Sequence, residues 1–181
     1  MDGNACIREA YQAILLGDFE SAEVWFERAI EEEPNNASYH YRLSITCSRS
    51  GKLAKAIKHA QLAASLDQTH PEYRLQVTNL QAKQLIRQAE SSIEQDRLYP
   101  TIPLLEQAVK LDPLALEGYM LLGAVYGQLQ QYGLASVVIK EALKLDPEHP
   151  AARAMLPLYE RLWKQAMLPD ERSNEPREGA G

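Results

Sequence analysis

Cysteine is scarce in this 181-residue chain, and there is no surplus of positive charge. Cys6 and Cys47 stand far apart, with no CxxC pair and no nearby histidine pair. That excludes a disulfide framework and a Cys/His zinc site, and both residues read as small buried hydrophobes. Lys and Arg number 19 against 25 Asp and Glu, a net charge of −6. Phosphate neutralisation needs clustered excess cations, so a general nucleic-acid binder is excluded. No apolar run approaches the ~18 residues of a membrane helix, so no membrane insertion is expected. The opening Met1-Asp2-Gly3-Asn4-Ala5-Cys6 has no basic region leading into an apolar stretch, and the expected location is cytoplasmic.

Catalytic patterns are equally missing. There is no HExxH, no Walker-type loop and no GxGxxG following a strand. The four histidines, His40, His59, His70 and His149, form no i, i+4 pair; His40 falls on a packing position, and His70 and His149 lie beside prolines. Gly123 and Gly127 make a GxxxG pair without the lipid-spanning context that gives it meaning. Glu20, Glu23, Glu27 and Glu31 share one helical face and read as a solvated outer surface, not an acid–base or metal site. Neither an enzyme nor a cofactor is expected.

What the sequence does contain is a repeat. Ala29-Ile30-Glu31-Glu32-Glu33-Pro34, Ala108-Val109-Lys110-Leu111-Asp112-Pro113 and Ala142-Leu143-Lys144-Leu145-Asp146-Pro147 end alike, and Ala63-Ala64-Ser65-Leu66-Asp67-Gln68 lacks only the proline. Pro34 to Gln68 and Pro113 to Pro147 each span one period of about 34 residues. Gln68 to Pro113 spans the same period lengthened by about three helical turns. Small residues recur within the period: Ala10, Ala22 and Ala29 in the first unit, Ala56 and Ala63 in the second, Ala89 and Ala108 in the third, Gly123, Ala135 and Ala142 in the fourth. Such positions let two helices approach closely. Gly17 and Gly51 stand where a first helix must stop, Asp18 can cap the next, and the Asp-Pro pairs end the second helices. On these residues the chain resembles the tetratricopeptide repeat (TPR) family, whose unit is a helix–turn–helix of about 34 residues. Departures are Glu9 and Gln88 at a normally apolar position, Thr101 in place of Ala, and Asp96 and Gln130 in place of the inter-helix glycine.

The resemblance implies an all-α, right-handed TPR superhelix (α-α solenoid) of about four helix-turn-helix repeats plus a C-terminal capping helix. Units one and two occupy 3–70, unit three 71–115, unit four 116–149 and the cap 150–168; polar 169–181 is expected to be a disordered tail. The extra stretch falls in the first helix of unit three. Its length, roughly 11 residues, makes about three turns, so both ends keep one rotational phase. The segment from Pro71 to Gln95 therefore reads as one long helix shared by two two-repeat modules, with Thr69 and Glu72 available as a capping box. A kinked pair of shorter helices is the alternative.

The family implies a non-catalytic protein–protein interaction module or adaptor that binds a peptide or partner protein in a concave groove lined by the first helices. Carried onto this sequence, the lining is Tyr11 from unit one, Tyr41, Arg42, Ile45 and Arg49 from unit two, Asn79, Lys83, Ile86 and Arg87 from the long helix, and Met120 from unit four. Arg beside Tyr is hot-spot composition and suits a segment carrying acidic and apolar residues. A chaperone-tail clamp is disfavoured, because its Lys and Asn positions hold Ile7, Tyr11 and Arg42. Alternatives are a secretion- or assembly-type chaperone, or a scaffold that self-associates as a homo-oligomer through Trp25 or the C-terminal helix. The register also predicts that Glu23→Gln, on the solvated face, costs less than about 0.5 kcal/mol.

Overall fold

The computed structural model describes residues 2–168, and the expected tail at 169–181 lies outside them. The described residues form nine α-helices and no strand. They are α1 (Gly3–Leu15), α2 (Phe19–Glu32), α3 (Ala37–Arg49), α4 (Leu53–Leu66), α5 (Pro71–Glu94), α6 (Thr101–Leu111), α7 (Leu116–Gln128), α8 (Tyr132–Leu145) and α9 (Pro150–Met167). Each packs on the next in the chain, which makes an all-α repeat solenoid.

The four hairpins α1–α2, α3–α4, α5–α6 and α7–α8 are closed the same way. The N–H two residues past each first helix's cap reaches five residues back: Asp18 to Ala13, Lys52 to Cys47, Arg97 to Ser92 and Gln131 to Tyr126, at 2.8–2.9 Å. This is the Schellman bond, and it needs one residue in the left-handed region. Gly17 and Gly51 supply it at φ +76° and +80°; Asp96 and Gln130 adopt the same conformation at φ 56° and 59°. The missing glycines leave the turn intact, at a cost of about 1–2 kcal/mol per residue. At the far end of the second helices, Asp67, Asp112 and Asp146 accept the backbone N–H two residues on, from Thr69, Leu114 and Glu148, at 2.9–3.2 Å. That turn overrides the expected capping box. Thr69 Oγ1 donates to Asp67 at 2.6 Å and is not available to α5, whose N-cap, His70, makes no side-chain cap bond.

The small positions are where the helices touch. Ala10, Ala22, Ala29, Ala56, Ala63, Ala89, Ala108, Ala135 and Ala142 are all fully buried. A Cβ on Gly123 would come within 2.5 Å of Ile139 Cδ1, and one on Gly127 would overlap the Tyr159 hydroxyl. The GxxxG pair is therefore the seat of α8 and α9 on α7. Thr101 is fully buried too, and its hydroxyl donates to Leu98 O at 2.6 Å.

The long helix α5 runs unbroken, and the apolar core divides along it. Leu80 and Val77 pack with Ala10, Phe26, Leu43 and Ala60 in an N-terminal cluster. Ala82, Ile86 and Ala89 pack with Leu105, Leu122 and Ile139 in a C-terminal one. Helix α9 closes the second cluster with Ala152 and Tyr159.

One expectation is overturned. Glu23 is not on a solvated face; it is 5% exposed, between Lys52 Nζ at 2.9 Å and Lys55 Nζ, and Lys55 also reaches Glu27 at 2.6 Å. The lysines belong to the next repeat, so the ion pairs tie α2 to the α3–α4 hairpin. Trp25, expected as an exposed anchor, is half-buried with the Arg28 guanidinium 4.6 Å above its ring.

Two substitutions test this packing. Ala56→Leu or Ala135→Leu should destabilise by about 1–3 kcal/mol, since added methylenes force helices apart. Glu23→Gln should cost about 1–3 kcal/mol, not a few tenths, because it leaves Lys52 without its carboxylate and Lys55 with Glu27 alone, softened by their partial exposure. Denaturant midpoints check both; an unchanged midpoint for Glu23→Gln would place the carboxylate in solvent.

Candidate functional site

The residues expected to line a groove stand on first helices α1, α3, α5 and α7, and side-chain contacts join α1 to α3 and α3 to the front of α5. Tyr11 on α1 is 41% exposed, its ring edge-on to Phe26, and the Arg42 guanidinium of α3 lies 5.2 Å from its centroid. Arg42 is further held by Nε donating to Ser38 Oγ at 3.1 Å, one turn earlier. Its planar cation is thus fixed by an aromatic face and a hydroxyl while staying half-exposed. Tyr41 meets Tyr73 of α5 at 4.9 Å between centroids, and burial raises the Tyr73 hydroxyl pKa. Gln76 Nε2 donates to Ser44 Oγ at 3.4 Å, carrying the surface from α3 onto α5. Ile45 is half-buried and Arg49 is exposed at the end of α3.

Beyond Gln76 the surface opens into a cleft of about 280 Å³, where α5 crosses between the two core clusters. Asn79 and Lys83 line it from α5. Asn79 Oδ1 is buried and has no hydrogen-bond partner among the described residues. Asp112 and Glu117 face the cleft from the α6–α7 side.

Three expected site residues are placed differently. Ile86 is 4% exposed, because it belongs to the C-terminal core and meets the cleft only at its floor. Arg87 is exposed but turned to the α3–α4 turn, where Nη1 donates to Gly51 O at 3.3 Å. Met120 is half-buried against the same core as Ile86. Tyr73 was absent from the expected set, and its signal was present: it stands one repeat period after Tyr39, at the same repeat position. Asp112 had been read only as a helix breaker.

Two titratable clusters lie apart from this surface. Burial alone would raise the Glu23 pKa, but hydrogen bonds from Lys55 and Lys52 outweigh it and hold the carboxyl below its ordinary range. His40 and His59 meet at 2.9 Å between Nδ1 atoms, with 5.2 Å between centroids and ring planes 19° apart. That is an in-plane N–H···N bond. His40 Nε2 donates to the carbonyl of Pro34 at 3.0 Å, so His40 Nδ1 accepts and His59 Nδ1 donates. The two histidines come together across one hairpin, not along one helix face. Among the described residues no group of three or more His, Cys, Asp or Glu is placed to hold a metal. Burial pushes the Cys47 thiol up to about 11, away from a nucleophilic thiolate. No helix of the described residues is long and apolar enough to cross a membrane.

Successive helical hairpins, each packed on the next, define an all-α repeat solenoid. Residues 13–89 and 116–149 match family models described as tetratricopeptide repeat, more than half the chain between them. The chain belongs to the tetratricopeptide repeat family, whose fold is generally a non-catalytic interaction scaffold. No curated protein matches it. Solved structures share the fold. A MamA protein superposes at a TM-score of 0.52 with 18% identity over 90% of this chain and 82% of that one. A MamA fragment from Desulfovibrio magneticus RS-1 gives 0.50 and 17% over 96% and 97%. A tetratricopeptide repeat protein from Parabacteroides merdae ATCC 43184 gives 0.51 and 21% over 90% of this chain and 60% of that one.

The histidine pair gives the chain a pH dependence of defined sign. Burial first, then His40 and the neighbouring Lys55 and Lys58, lower the His59 pKa from 6.5 to about 4, with Glu27 opposing. The unfolded chain takes up this proton near 6.5 and the folded chain does not, so stability falls as pH drops from about 6.5 towards 4. Glu23 adds a further loss at lower pH, as its carboxylate protonates. Thermal melts at pH 7 and pH 5 should show a larger drop for the wild type than for His59→Asn. Equal drops would remove His59 as the source.

Proposed function

We propose that this protein is a non-catalytic adaptor that holds a peptide segment or partner protein on the concave surface of α1, α3 and α5. The observation that carries the reading is the Tyr11–Arg42 pair. A guanidinium is pre-set by a ring and a hydroxyl, with Arg49 two turns further along the same helix. An arginine fixed before binding loses less entropy when a carboxylate arrives, and bidentate Arg–carboxylate pairing is directional. Tyr11, and Tyr41 packed on the buried Tyr73, supply apolar area beside it. The preferred partner is a segment carrying acidic and apolar residues.

The test is an Arg42→Ala/Arg49→Ala double variant. Its melting temperature should stay close to that of the wild type, because neither arginine forms part of a core cluster. Affinity for a partner captured by the wild type should fall by about 2 kcal/mol or more, roughly 30-fold. Partners retained at equal strength would move the binding face to the convex side.

A further inference from the structure

The charges along the concave surface are ordered. Arg8, Arg42 and Arg49 stand on α1 and α3; Arg8 precedes Arg42 by one repeat period and holds the same repeat position. Across the cleft the sign reverses, with Asp112 in the α6–α7 turn and Glu117 in the first turn of α7. Between the two lies the buried Asn79 Oδ1, an acceptor without a donor among the described residues. Asp112 already accepts the Leu114 N–H at 3.0 Å, which holds its carboxylate in place. Glu117 and Lys83 have no ion-pair partner among the described residues.

We propose that the partner segment is bipolar and binds in one direction: its acidic and apolar end lies on Tyr11, Arg42 and Arg49, and a Lys or Arg further along enters the cleft between Asp112 and Glu117. This rests on the concave-surface reading above. Charge complementarity carries it. A uniformly acidic segment that satisfied the arginines would run its next carboxylates against Asp112 and Glu117, and like charges at short range select against that partner. A basic side chain there meets two carboxylates. Lys83 faces the same cleft, so a single partner cation meets a site of net negative charge without excess.

A random peptide library displayed on phage is panned against the full chain, and a recovered peptide is measured by fluorescence anisotropy. The expected peptides carry acidic and apolar residues and a Lys or Arg at a fixed distance from them. Replacing that Lys or Arg by Ala should weaken binding to the wild type at least about tenfold, and clearly less on a Glu117→Gln variant of unchanged melting temperature, where Asp112 alone remains. Peptides that need Arg42 and Arg49 but carry no basic residue, or whose basic residue matters equally with and without Glu117, overturn the bipolar assignment and leave the concave-surface reading standing. Recovery of peptides indifferent to both Arg42→Ala/Arg49→Ala and Glu117→Gln overturns both, as does recovery of none.

Discussion

The structure depends on how closely its helices approach. At each small position, an alanine or glycine lets one helix sit on its neighbour's backbone, and the larger residues fill the space around that contact. A hairpin made this way still has an unburied apolar face, and only the next hairpin covers it. Function inherits the geometry. Stacking sets the first helices side by side, so Tyr11, Arg42 and Gln76 come into sequence on one surface although they are dozens of residues apart.

The extra three turns in α5 would disrupt most folds, but here they obey the helix's own period. At 3.6 residues per turn the insertion advances the chain by about 16 Å and rotates it by only about 20° beyond three turns. Register residues on either side therefore stay in phase, and α5 ends one core cluster and begins the other. An insertion of nine would leave α5 about half a turn out of phase, turning the rear apolar face to solvent. The same displacement opens the cleft, because Gln76, Asn79 and Lys83 on α5 now have space between them and the α6–α7 turn.

The repeat made the fold legible. Small-residue spacing, stop glycines and Asp-Pro pairs are local signals that survive without coordinates, and all nine helices of the described residues fall where they point. Even the departures kept their meaning: Asp96 and Gln130 take the left-handed conformation that the register assigns to glycine. The interactions that escaped cross between helices whose facing residues periodicity does not pair. Glu23 sits on an acidic helical stripe that looks solvated until Lys52 and Lys55 arrive from the following repeat. His40 and His59 meet only because a hairpin folds one helix against the other. Ile86 and Arg87 show the complementary limit. A register position names a helix face, but the long helix lends that face first to the core and then to the neighbouring turn.

Net charge alone hides how the charges are placed. The chain carries a net charge of −6, yet many of its carboxylates are committed elsewhere. Glu23 and Glu27 hold lysines of the second repeat, and Asp18, Asp67, Asp112 and Asp146 close turns or cap helices. Among charges not spent on the fold, Arg49 on α3 is basic and Glu117 on the far wall of the cleft is acidic. Beyond the Debye length, about 8 Å in physiological salt, the field of the net charge is largely screened. Inside that distance the local arrangement governs. A partner of the proposed kind, with both signs in the right order, gains the short-range match, so the proposal makes recognition depend on sequence order rather than on total charge.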